Sequence, residues 1–239
     1  MTSAVAAYRQ DQAFFLRLAI AIALFAVIAF LQWSLRGYSH VAAAPLTVHL
    51  HALSMLGWLG VFIAQNHLAG SGNLALHRKL GWAAVGLAAV ILALGFQITL
   101  QAIATHRVPP IFSNSYFLLL GPVHLLFFAV VLAAAIMLHR RTEWHRRLML
   151  VATVVVLEPA FGRLIPFPVA RSAWGGWVEG ILQAGLLGIA MVHDRRLRGA
   201  VHPALWWGVA AIFACKLAIA LLSRAAPVVA YAEAVARGG

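Results

Sequence analysis

The sequence predicts an all-α polytopic membrane protein: a single domain over residues 1–239, built as a bundle of seven transmembrane helices. Three observations predict it. First, 63% of the residues are hydrophobic and only 10% are charged, whereas a soluble domain carries roughly 25% charged residues; this chain cannot cover a water-facing surface. Second, the apolar residues fall in seven runs, each near the length of about 20 residues that crosses a bilayer. Third, the basic residues collect in the short connections between the runs and favour alternate ones.

The runs occupy residues 14–35, 46–69, 80–101, 116–138, 148–165, 177–192 and 203–222. The first is longer than the apolar core of a secretory leader, and Pro45 would follow the small residues Ala42, Ala43 and Ala44 that could mark a cut, so it reads as a span. Span two opens after Pro45, and span three follows the Ser-Gly-Asn turn at 71–73. Span four contains Pro122. Span five contains Pro159 and Gly162 and is expected to kink beside Glu158. Residues 166–176 (PFPVARSAWGG) read as a loop. Span six carries Gly176, Gly180, Ala184 and Gly188 four residues apart. Such a ridge lets a second helix approach closely, within the chain, in a homodimer or in a membrane partner subunit.

Charge sets the orientation and excludes one class of partner. The chain has 18 Lys and Arg against 6 Asp and Glu, a net charge of +12. The N-terminus and the connections after spans two, four and six hold Arg9, Arg17, Arg78, Lys79, Arg140, Arg141, Arg146, Arg147, Arg195, Arg196 and Arg198. The other side holds Arg36, Arg107, Arg163, Arg171, Arg224 and Arg237. Eleven against six places the N-terminus in the cytoplasm and the C-terminus in the periplasm of a bacterial inner membrane. Basic loops between apolar spans meet anionic lipid headgroups, so the expected partners are membrane lipids and not nucleic acid. The single Cys215 lies within span seven and excludes a disulfide framework.

Ionisable groups at membrane depth are expensive and each needs a reason. His49 and His51 open span two; Gln97 and Gln101 end span three; His124 lies a few turns into span four. Glu158 and Arg163 fall in the outer half of span five, Glu179 and Gln183 at the start of span six, and Lys216 about two turns from the outer end of span seven. Six helices thus send polar groups to one depth, as expected for a cavity, a cofactor or a buried network. The structural alternative pairs Glu158 or Glu179 with Lys216 or Arg163, with glutamines tying helices together. His51, Met55, Trp58, Phe62 and Gln65 follow three- and four-residue spacings and share one face of span two. His49 and His51 stand about 200° apart around a helix, so one ion cannot be reached by both.

Several chemistries fit this set. Imidazoles from two helices are the axial ligands of a b-type haem. His51 (or His49) with His124 is the expected pair, and Arg163 or Lys216 would neutralise a carboxylate or propionate. The stretch 49–58 (HLHALSMLGW) resembles the second helix of haem–copper oxidase catalytic subunits, over about a tenth of the chain and without the His-His pair of those proteins. More broadly, His49 and His51 followed by Trp58, Gln65 and residues 77–81 (HRKLG) resemble uncharacterised bacterial multispan membrane proteins, which implies the membrane fold but no activity. His51, His124, Glu158 and Glu179 are also suitable ligands for zinc or iron in a metal-dependent intramembrane hydrolase. The Ser, His and Asp pattern of adiponectin-receptor-like hydrolases is absent. Kinked span five and its carboxylate fit a proton-coupled transporter. A retinal Schiff base on Lys216 lacks a carboxylate in span three. An accessory or assembly subunit without chemistry of its own completes the alternatives.

Overall fold

A computed structural model describes residues 2–39 and 41–238, and side chains from residue 8 onward. The helices are α1 (Thr2–Leu35), α2 (Leu46–Gly70), α3 (Leu74–Ala104), α4 (Asn114–Met137), α5 (Thr142–Val156), α6 (Glu158–Gly162), α7 (Phe167–Ala170), α8 (Gly175–Arg198), α9 (Pro203–Leu222) and α10 (Ala226–Arg237). Six of them, α1, α2, α3, α4, α8 and α9, are long and apolar enough to cross a membrane. Their outward faces remain apolar: Ile28 on α1 is 59% exposed and Met137 on α4 is 81% exposed. Apolar surface on that scale belongs against acyl chains, not water.

The fifth expected span is two helices. α5 has 15 residues and α6 has five, with the break at Leu157. Pro159 has no N–H for the carbonyl four residues back, and a residue before proline disfavours the helical region. The expected kink is therefore a full interruption. From Leu150 to Leu157 every residue is buried. A helix that is apolar all round belongs inside protein, and there a broken backbone is tolerated at membrane depth.

The chain divides into two compact units, Met1–Leu94 and Gly95–Gly239. In the first, α1 packs on α2. Its buried stripe, Phe15, Leu18, Ala19, Ile22, Ala26 and Ala29, repeats every three to four residues. Trp58, Leu59 and Phe62 form the buried face of α2. The HRKLG stretch is a hairpin fastener here. Gln65 Nε2 donates to the His77 carbonyl at 3.1 Å, and His77 Nδ1 donates back to the Gln65 carbonyl at 3.3 Å. A Cβ at Gly81 would lie 3.4 Å from Gln65 Nε2, so the glycine gives the amide room.

In the second unit α5 lies among α4, α8 and α9, and α6 packs on α8. Gly208 permits the α5–α9 crossing, since a Cβ there would fall 2.6 Å from Val151 Cγ2. Gly175 does the same where α8 starts against α7, with the Ala170 carbonyl 2.6 Å from such a Cβ. The first part of the small-residue ridge is used within the unit: Gly176 faces the Tyr116 hydroxyl and Gly180 faces Phe213, while Gly188 meets open space. α10 was not foreseen. Twelve residues are too few to span, and its amphipathic pattern is carried by alanines; it buries Ala232 and Ala236 and packs on α4.

Candidate functional site

The interruption between α5 and α6 places Glu158 as the first residue of a new helix, buried among α4, α8 and α9 neighbours. Lys216 of α9 reaches both buried carboxylates. Its Nζ donates to Glu179 Oε2 at 2.8 Å and lies 3.5 Å from Glu158 Oε1. The three residues are 3–6% exposed. At such burial an ammonium is tolerated only with charge partners at hand. Arg163 closes α6 within electrostatic reach of Glu158 and Glu179, and its Nη1 donates to the Pro159 carbonyl at 2.6 Å. Two acidic and two basic groups balance the site.

α4 supplies the facing wall. Tyr116, in its first turn, lies within electrostatic reach of Lys216, Glu158 and Glu179. His124, two turns further in, lies within reach of Glu158 and Lys216 and is 4% exposed. Its Nδ1 donates to the Leu120 carbonyl at 2.7 Å, which leaves Nε2 buried without a hydrogen-bond partner. Gln183, one turn below Glu179 on α8, donates from Nε2 to the Val154 carbonyl at 3.2 Å. That carbonyl is in the last turn of α5, where a helix end leaves acceptors without intrahelical donors. Glu179 Oε1 and Gln183 Oε1 are also buried without partners.

A recess of about 750 Å³ leads to this cluster. It is bounded by the start of α4, the α7–α8 connection and the end of α9, and Lys216 lies in its lining. Arg171 and Arg224 stand on its rim, and Phe112, Tyr116, Trp174 and Trp177 line it.

Of the residues singled out from sequence, Glu158, Arg163, Glu179 and Lys216 come together, with His124 beside them. The pairing of Lys216 with both glutamates is the structural alternative stated above. Among the described residues no three His, Cys, Asp or Glu side chains gather as a metal-binding set. His49 and His51 belong to the first unit, both partly buried, and His51 Nδ1 lacks a hydrogen-bond partner. Gln97 is exposed on α3.

Sequence reasoning missed a second ion cluster at the opposite end of the same unit. Arg147, counted with the basic rim, is fully buried. Its Nε donates to Asp194 Oδ2 at 2.8 Å, its Nη2 donates to Asp194 Oδ1, and its Nη1 reaches Glu143 at 2.7 Å. Asp194 also accepts from the His202 backbone N–H at 3.1 Å. The available signal was Asp194 itself, one of two aspartates in the chain, placed among three arginines at the end of span six.

The fold and the buried polar site define a class, a helical multi-pass membrane protein with an ionic cluster inside its second unit. The chain matches no protein-family model, no curated protein and no solved structure.

Proposed function

We propose that the protein is a proton-coupled carrier of the bacterial inner membrane, with its N-terminus in the cytoplasm and Glu158, Glu179 and Lys216 as the coupling site. One observation carries this reading: Lys216 holds two carboxylates at a helix break and also lines a recess. A purely structural ion cluster has no need of access. Discontinuous helices with intramembrane carboxylates are the usual setting of ion coupling. In the carrier, Lys216 divides its charge between the two glutamates, and a solute or proton arriving through the recess changes that division.

The test is proton influx into proteoliposomes loaded with a pH-sensitive dye, under an inward gradient of benzenesulfonate, an ionised probe that does not cross lipid unaided. Influx that Glu179→Gln abolishes supports the carrier. Influx that is equal in wild type, Glu179→Gln and protein-free vesicles rejects it.

A second reading, b-type haem on His124, draws on a specific observation. An imidazole that donates from Nδ1 to a backbone carbonyl and keeps Nε2 free is set up as an axial ligand. The visible spectrum of protein purified with haem available decides it: a Soret band lost in His124→Ala and kept in His139→Ala supports haem, and a colourless preparation removes it.

A further inference from the structure

The recess and the carboxylates behind it have opposite electrostatic character. Lys216, Arg171 and Arg224 line the recess, and no Asp or Glu does. Among the described residues no carboxylate pairs with Arg171 or Arg224; Arg171 lies 6.0 Å from the Phe167 ring centre. Guanidinium groups beside a desolvated ammonium recognise an anion. The remaining walls include Phe112, Trp174 and Trp177, flat and apolar. The volume, about 750 Å³, is that of a site for a small organic molecule.

Lys216 joins this recess to the buried pair. Its shortest contact is with Glu179 Oε2 at 2.8 Å, and the other oxygen of that carboxylate has no hydrogen-bond partner. An anion that reaches Nζ shares the single charge of the ammonium with Glu179 and Glu158, which weakens its hold on both. A carboxylate displaced from its ammonium, still facing Glu158, cannot stay charged without cost. The groups facing Glu179 are Lys216 from α9, Glu158 and Arg163 from α6, and Tyr116 from α4.

We propose that the recess binds a monoanion with a planar apolar body, that the anion replaces Glu179 on Lys216 Nζ, and that the released Glu179 takes up one proton from the buffer acid in bulk solution. The Glu179 O–H forms as one buffer acid gives up its proton, and within the site the charge of the anion and that of the proton cancel. This rests on the carrier reading for its purpose but not for its test, because binding and proton uptake are measurable without a membrane gradient.

Calorimetry on the detergent-purified full chain, with benzenesulfonate as probe, tests it. Titrations in buffers of different ionisation heat count protons. The sulfonate does not itself titrate, so about one proton taken up per probe bound is the expected result. Benzenesulfonamide, the same shape without the charge, is expected not to bind. Arg171→Gln with Arg224→Gln is expected to weaken binding about tenfold or more. Arg140→Gln, outside the recess, is expected to bind as wild type. Glu179→Gln is expected to bind the probe without proton uptake, and its thermal midpoint reports that it is folded. The proposal is overturned by absence of binding at millimolar probe, by equal binding of the sulfonamide, by unchanged binding in the arginine variant, or by binding without proton uptake in wild type. Displacement of the probe by phosphatidylglycerol and not by phosphatidylcholine also overturns it, since the site would then be a lipid headgroup site. Proton-linked binding without influx in proteoliposomes sinks the carrier alone.

Discussion

The second unit carries two buried ion clusters on shared helices, about 22 Å apart along α8 from Glu179 to Asp194. At one, Arg147 and Asp194 engage through two parallel hydrogen bonds, and Glu143, Arg198 and the His202 backbone satisfy what remains. At the other, Lys216 divides itself between Glu158 and Glu179, and three polar atoms nearby, Glu179 Oε1, Gln183 Oε1 and His124 Nε2, have no partner. The Arg147–Asp194 pair at the centre of the first cluster is fully buried, with Glu143 and Arg198 partly exposed at its edge. The second borders a recess. A planar guanidinium fork matched to a carboxylate specifies one geometry, whereas an ammonium between two carboxylates has more than one arrangement of similar energy. The contrast separates a fastener from a site able to change state.

The largest expected effect is at the fastener. Arg147→Met leaves Asp194 buried without its charge partner and should destabilise the fold by about 3–5 kcal/mol. Thermal unfolding in detergent measures it. Adding Asp194→Leu should recover most of that loss, because an apolar pair of similar volume is often neutral. If the double variant is no better than the single one, the cluster does more than fasten.

The same removal at the other cluster should cost less. Lys216→Met leaves Arg163 facing both glutamates, so the expected loss of stability is smaller, about 1–3 kcal/mol, while proton influx is abolished. A loss as large as that of Arg147→Met would make Lys216 a fastener too. Smaller again is Glu179→Gln. It keeps an oxygen for the Lys216 ammonium and should shift stability by about 1 kcal/mol or less while removing proton influx.

The smallest effect is a pH dependence at the Arg147 end. His202 caps α9 by accepting the Ala204 N–H on Nδ1 at 3.2 Å, and its ring meets Trp144 edge to face. Burial, then the Arg147 charge, hold the imidazole below its ordinary value of 6.5, against the opposing pull of Asp194 and Glu143. The folded state therefore favours the neutral ring. The stabilisation is present above the ordinary value and is lost as pH falls through the folded one. The thermal midpoint should drop between about pH 7 and pH 5, with a shallower slope in His202→Asn, which still caps but does not titrate. An unchanged slope would assign the pH dependence elsewhere.

Much of this was legible from residue order. The six long helices follow from apolar runs of bilayer length, and the weakness of the fifth follows from Pro159. The depth at which Glu158, Glu179 and Lys216 meet follows from counting residues along each span. The rotation of each helix about its axis was not legible, because a lipid-facing apolar residue and a packed one look alike in sequence. That is why Arg147 read as rim and why α5 was not seen to be enclosed. α10 stayed hidden because alanine carries little hydrophobic contrast.

By itself the sequence determined that this chain lives in a membrane and which charges lie at one level, since burial in lipid forces backbone hydrogen bonds inside each helix and makes every charge conspicuous. Only the tertiary structure decided which charges face each other, which pair is fully buried and which cluster borders a recess. Those outcomes depend on side-chain packing between helices, through small contacts such as Gly208 on Val151 and Gly176 beside Tyr116, and no spacing along one helix encodes its neighbour's rotation.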